Sequence, residues 1–146
     1  TGAADMSFRV RSFELWDGEG QLVAGDLGYT MGGLYVSQTG FHREGTTGAG
    51  EVQLILTAAI LHKMGHDWFD LGQARTYKKG LGAETLGRKA WLERFVKVRD
   101  RRCRFEHEPI AGDDLLDYLL HAIAARQAPP GPAADAELLK GGGSDE

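Results

Sequence analysis

The run from Gly32 into the following helix constrains this chain more than any other feature. Gly32-Gly33 is a turn signal, and Leu34-Tyr35-Val36-Ser37-Gln38-Thr39, rich in β-branched and aromatic residues, predicts a strand. Gly40-Phe41-His42-Arg43 follows, then the glycine-spaced loop Gly45-Thr46-Thr47-Gly48-Ala49-Gly50 and an apolar, periodic segment from Glu51 to Met64. A strand, a glycine loop and a helix N-terminus in succession leave backbone N–H groups free to face an anion or a carbonyl oxygen. Gly48 and Gly50, at the helix start, are the candidate donors. Such a geometry suits acyl transfer.

The flanking segments extend the pattern. Phe8–Trp16 alternates at first and predicts a strand. Asp17-Gly18-Glu19-Gly20 is a hairpin turn, and Gln21–Ala24 with Leu27–Met31 predicts the return strand, bent at Gly25 or Gly28. Helix one is expected over Ala49–Met64, with Val52, Leu54, Ile55, Leu56, Ala59 and Ile60 on its buried face and Gly65 at its C-cap. Trp68–Leu71 predicts a short buried strand, Arg88–Val96 a second helix, and Asp113–Ala125 an amphipathic third, with Leu115, Leu116, Leu119 and Ile123 at helical spacing. The expected fold is mixed α/β (α+β): an antiparallel meander, a helix after a glycine-rich loop, and C-terminal helices. Residues 6–127 are expected to form one folded unit between a short tail, 1–5, and a disordered tail, 128–146, that holds Pro129, Pro130, Pro132 and Gly141–Gly143.

Charge is distributed unevenly. The net charge is −4, yet eleven of the 17 lysines and arginines lie between Arg75 and Arg104, opposed there only by Glu84, Glu93 and Asp100. Lys78, Lys79, Arg88 and Lys89 are the members expected nearest a site, with Lys78 and Lys79 in a loop after the Trp68–Leu71 strand. A block of this kind can be the footprint of a phosphate backbone or a solvated basic face. With 146 residues, one core is the expectation. A single cysteine, Cys103, excludes an internal disulfide and fits a reducing, cytoplasmic setting. No run of about 18 apolar residues and no leader pattern is present, so neither a membrane span nor secretion is expected. The chain starts at Thr1, which suggests a piece of something longer. The histidines lack metal spacing with acidic company, so no metal is expected.

The order β-β-β-α-β-α resembles that of GNAT-type acyltransferases, whose helix-opening loop cradles coenzyme A pyrophosphate with the pattern Arg/Gln-x-x-Gly-x-Gly/Ala. Here Gly48 and Gly50 match, but Gly45 stands where the basic or amide residue belongs. A longer resemblance covers Ser12 to about Phe95. Phe13-Glu14-Leu15-Trp16, Gln21-Leu22-Val23-Ala24-Gly25, Gly33-Leu34-Tyr35, Phe41-His42-Arg43, Phe69-Asp70, Leu81-Gly82-Ala83 and Leu86-Gly87-Arg88-Lys89-Ala90-Trp91-Leu92 are similar, at near-constant spacing, to the leucyl/phenylalanyl-tRNA–protein transferase family. The resemblance implies a GNAT-like domain that uses no coenzyme A or other cofactor. It also implies transfer of an amino acid from aminoacyl-tRNA to a protein N-terminal amine, which marks the protein for degradation.

Residue by residue, the resemblance places the family's Gly-Glu-Ser-Met-Phe-Ser-Arg block on Ser37-Gln38-Thr39-Gly40-Phe41-His42-Arg43. Ser37, Thr39 and Phe41 become substrate-binding candidates, and the acidic residue that orients a basic N-terminus is replaced by Gln38. The family's Asp-x-Gln falls on Asp70-Leu71-Gly72, with Gln73 one position later. Gln38, Asp70 and Gln73 are the catalytic candidates. The family's N-terminal domain, with its Trp-Trp-Ser-Pro motif, has no counterpart among these residues, so a further domain or a partner chain is expected to complete the pocket. An aminoacyl ester is already activated. Its transfer mainly needs an amine held about 3 Å from the carbonyl and donors for the oxyanion, each worth roughly 3–4 kcal/mol. Three readings stay open: the transferase or its catalytic half, a coenzyme A-dependent N-acyltransferase, and a non-catalytic module that binds tRNA or a protein N-terminus.

Overall fold

The computed structural model describes residues 8–105 and 108–127; the expected tails lie outside the described residues. Four strands form one sheet in the order β1-β2-β3-β4: β1 Arg9–Trp16, β2 Leu22–Met31, β3 Leu34–His42 and β4 Trp68–Asp70. The first three make an antiparallel meander, and β4 joins β3 in parallel after helix α1, Ala49–Lys63. Helices α2 Thr76–Gly80, α3 Arg88–Val98 and α4 Gly112–Gln127 complete the described chain. The meander and the helix after the glycine loop stand as expected. The five-residue α2 corrects the loop expected around Lys78 and Lys79, because Thr76-Tyr77-Lys78-Lys79 carries no period long enough to read.

Strand alternation divides the core. On one face, Leu34, Val36 and Trp68 bury against Val98 of α3, with Tyr29, Trp91 and Phe95 around them. On the other, Phe13, Tyr35 and Leu61 pack with Ile60 of α1, Met64 just beyond it, Phe69 and Phe105. The sheet is therefore the middle layer between α1 and α3. Leu34 and Tyr35 are wholly buried, and a side chain of that size contributes roughly 1.5–3 kcal/mol by leaving water. The C-cap of α1 is Met64, one residue before the expected Gly65, which follows with φ +82°: the Gly65 N–H donates to His62 O at 3.0 Å and the His66 N–H to Leu61 O at 2.9 Å.

The face of α1 differs in part from the expected one, of which Ala59 is buried and Leu54, Ile55, Leu56 and Ile60 are half-buried. Gln53, Thr57, Ala59 and Leu61 are its buried residues, and Val52 is exposed. The helix is apolar nearly all round, so periodicity could not select a side. Gln53 satisfies its burial internally, donating from Nε2 to Thr57 Oγ1 at 2.8 Å.

Candidate functional site

β2 and β3 fall out of simple register at one point. Leu27 opposes Thr39 and Gly28 opposes Ser37, which leaves Gln38 as the extra residue on β3. This is a β-bulge, a device that re-aims side chains beside functional sites. The register shift falls at Leu27/Gly28, beside one of the two glycines where a bend was expected, and β2 itself runs as one strand through both.

Beside the bulge lies a cleft of about 350 Å³. It brings together Ser37, Gln38, Thr39, Phe41, Gly50, Gln73 and Lys78, seven of the sequence candidates, from β3, the start of α1, the loop after β4 and α2. Phe41, one of the substrate-binding candidates, is half exposed in this wall, whereas Tyr35 is fully buried. Gly48 lines neither this cleft nor its neighbour. The Ala49 N–H is engaged by Thr46 O at 3.2 Å, so Gly50 is the member of the first turn that both lines the cleft and has no carbonyl one turn before it in the helix.

A second cleft of about 630 Å³ adjoins the first. Leu71, Gly72, Gln73, Arg75 and Lys78 line both and form the shared wall. Lys79, Arg94, Trp91 and Asp70 belong to the second alone, and Arg88 and Lys89, exposed on the first turn of α3, line neither. Several of the basic residues have structural partners: the Lys78 ammonium donates to Leu71 O, Arg101 pairs with Asp67, and Arg94 lies 4.9 Å from the Trp68 ring centroid.

Asp70 is engaged on both oxygens. Oδ1 accepts the Gly72 N–H at 2.8 Å, and Oδ2 accepts the Trp91 Nε1–H at 2.7 Å. Gln73 Oε1 accepts from Arg75 at 3.2 Å. Gly72 takes φ +70°, and a Cβ there would sit 3.5 Å from Ser37 O, so the backbone itself favours glycine where the resemblance implies glutamine.

Sequence reasoning missed Asp26. It is 4% exposed on β2 and lines the floor of the smaller cleft. The Tyr35 hydroxyl donates to its Oδ2 and the Ser37 hydroxyl to its Oδ1, each at 2.6 Å. Burial and the bond to Asp26 push the Tyr35 phenol well above its ordinary range, which keeps its proton in place. The available signal was one acid inside the apolar run Leu22–Leu27.

An α+β domain whose bulged third strand faces a helix N-terminus across a cleft, beside a larger cleft rimmed by cations, is what fold and site define. The chain belongs to the leucyl/phenylalanyl-tRNA protein transferase family, whose model matches residues 6–96. Among curated proteins it is 29% identical over 93 residues to a leucyl/phenylalanyl-tRNA–protein transferase of Shewanella sp. (strain W3-18-1), covering 64% of this chain and 38% of the relative. It is 33% identical over 92 residues to the transferase of Shewanella frigidimarina (strain NCIMB 400), covering 63% of this chain and 38% of the relative. The chain thus spans under two fifths of the length of these relatives. No helix among the described residues is long and apolar enough to cross a membrane.

Proposed function

We propose that this chain is the catalytic half of an aminoacyl-tRNA–protein transferase, a GNAT-like cytoplasmic domain that moves an amino acid from aminoacyl-tRNA to a protein N-terminal amine. The bulge at Gln38 is the observation that carries the reading, because it opens β3 onto a cleft shared by a helix start and the Gln73 loop. The Gly50 N–H is the oxyanion donor in this scheme, and Gln73, on the wall between the clefts, contacts the amine. Asp70 acts at a distance: it holds the Gly72 turn and Trp91, and so sets where Gln73 starts. The larger cleft, with Arg75, Lys78, Lys79 and Arg94 on its rim, takes the phosphates of the tRNA acceptor end. Arg88 and Lys89 extend that surface outside the cleft. Gln38 carries no charge, so selection for a basic first residue is expected to be weaker than an acidic residue would give.

The test is transfer of radiolabelled Leu, Phe or Met from charged tRNA to an acceptor protein, with the chain alone and with the N-terminal part of the Shewanella frigidimarina relative added. Label at the acceptor's N-terminus in either case supports the reading. No transfer in either, together with saturable micromolar binding of acetyl coenzyme A that is lost on Gly48→Asp, moves the assignment to an N-acetyltransferase. tRNA binding with no transfer leaves a binding module.

A further inference from the structure

Asp26 is a buried carboxylate at the floor of the smaller cleft, and the transfer scheme above gives it no part. Among the described residues it is the only acid that lines that cleft, whose charged lining otherwise consists of Arg75 and Lys78. Both of its hydrogen bonds, at 2.6 Å, have the short length of a hydroxyl donating to a carboxylate. Tyr35 anchors one oxygen from inside the core, and Ser37, half-buried at the cleft wall next to the bulge, takes the other. A serine has one proton. With that proton committed to Asp26, Ser37 Oγ offers the cleft lone pairs alone. Gly40, which opposes Asp26 in register, keeps the approach open: a Cβ there would lie 3.4 Å from Asp26 Oδ1.

The geometry points to an amine-recognition site made of Ser37 and Asp26: Ser37 Oγ accepts a hydrogen bond from the free α-amine of a peptide N-terminus, and Asp26 is the positioning residue that fixes the hydroxyl and supplies the opposing charge. It rests on the acceptor-amine reading above and names the groups that meet that amine. A buried carboxylate is costly unless its charge is matched, and an ammonium hydrogen-bonded to the adjoining hydroxyl matches it where the cations of the shared wall, both already bonded to the β4–α2 segment, do not.

The experiment is an NMR titration of the chain with an eight-residue peptide beginning with Arg and with its N-acetylated twin, which differ only at the α-amine. The parent chain is expected to bind the free-amine peptide at least tenfold more tightly. Ser37→Ala should erase that preference, Asp26→Asn should cut it severalfold or more, and Ser37→Thr, which keeps the hydroxyl, should retain it. Ser37→Ala leaves the Tyr35–Asp26 bond in place, so its amide spectrum serves as the folding control should Asp26→Asn fail to fold. Equal binding of the two peptides by the parent, binding of neither, or full preference in Ser37→Ala overturns the inference. A preserved amine preference without aminoacyl transfer would instead defeat the transferase reading and leave this site standing.

Discussion

The carboxylate of Asp70 and the indole of Trp91 are joined by a 2.7 Å hydrogen bond that ties the last residue of β4 to the first turn of α3. Trp91 also stacks on Phe95, with centroids 5.2 Å apart, and meets Trp68 at 5.2 Å, so one bond fixes an aromatic row on that face of the sheet. Trp91→Phe keeps a ring and removes the donor. It is expected to cost about 1.5–3 kcal/mol, the range for a hydrogen bond to a charged group. Asp70→Asn should cost a similar amount, since its amide cannot accept from Trp91 while its oxygen serves Gly72. Urea melts followed by circular dichroism measure both; an unchanged midpoint in Trp91→Phe would show that the bond contributes nothing.

Close approach at the bulge gives the second prediction. A Cβ at Gly28 would lie 2.1 Å from Val36 O, a backbone atom, and 2.7 Å from the Tyr35 hydroxyl, whereas one at Gly18 meets nothing within 4 Å. Gly28→Ala must move β3 or the Tyr35–Asp26 bond, a cost of at least about 1–3 kcal/mol. Gly18→Ala should change stability by less than about 0.5 kcal/mol, as for an ordinary surface substitution. Thermal melts of the two variants side by side decide it.

His66 sets a pH dependence. It is buried, neither ring nitrogen has a hydrogen-bond partner among the described residues, and its pKa is lowered from the ordinary 6.5, first by burial and then by Arg11 and Arg101. The folded chain therefore resists taking up a proton that the unfolded chain accepts. The neutral ring's contribution is full above about pH 6.5 and is lost as pH falls through that value toward the lower folded one. Stability should decline between pH 7 and pH 5 more steeply in the parent than in His66→Leu. Parallel declines across that window would assign the acid sensitivity to other groups.

Salt titrations test the basic rim. Each phosphate neutralised steepens the log–log dependence of tRNA affinity on salt by about 0.7–0.9. Lys78 is held by Leu71 O, so Lys79, exposed on the larger cleft, is the cleaner probe. Lys79→Glu should flatten the slope by about one such unit and weaken all tRNAs alike, because phosphate contacts carry no sequence information. Arg126→Glu, at the far end of α4, should leave the slope unchanged. Equal slopes for the two variants would reject the larger cleft as a tRNA surface.

The meander and the three long helices were legible because their periods persist over many residues. Leu34-Tyr35-Val36 reads as a strand wherever it falls, and its alternation onto two faces follows from strand geometry. The bulge was not legible, since it is a property of two strands in register, and nothing in Ser37-Gln38-Thr39 alone marks Gln38 as the extra residue. The pairing of Asp26 with Ser37 and Tyr35 was hidden for the same reason: eleven and nine residues separate the partners, and only the β2–β3 hairpin brings them together. Asp70 shows the converse. Its place at the end of β4 was readable, but its partner Trp91 lies 21 residues on, and that contact decides what its oxygens do.

In the described sheet every strand lies beside its neighbour in the sequence, from β1 through β4. Pairing can therefore advance in one direction, each new strand docking on a surface already formed, and the longest loop to close is the crossover through α1. Closure entropy grows only slowly with loop length, and chains with such local pairing reach the folded state quickly. The cleft wall at Ser37–Phe41 can form with the β2–β3 hairpin alone, without β4 and the Gln73 loop that face it. Strand order thus ranks the two walls: the one that carries Ser37 and Gln38 needs only the β2–β3 hairpin, whereas the side rimmed by cations needs the crossover closed as well.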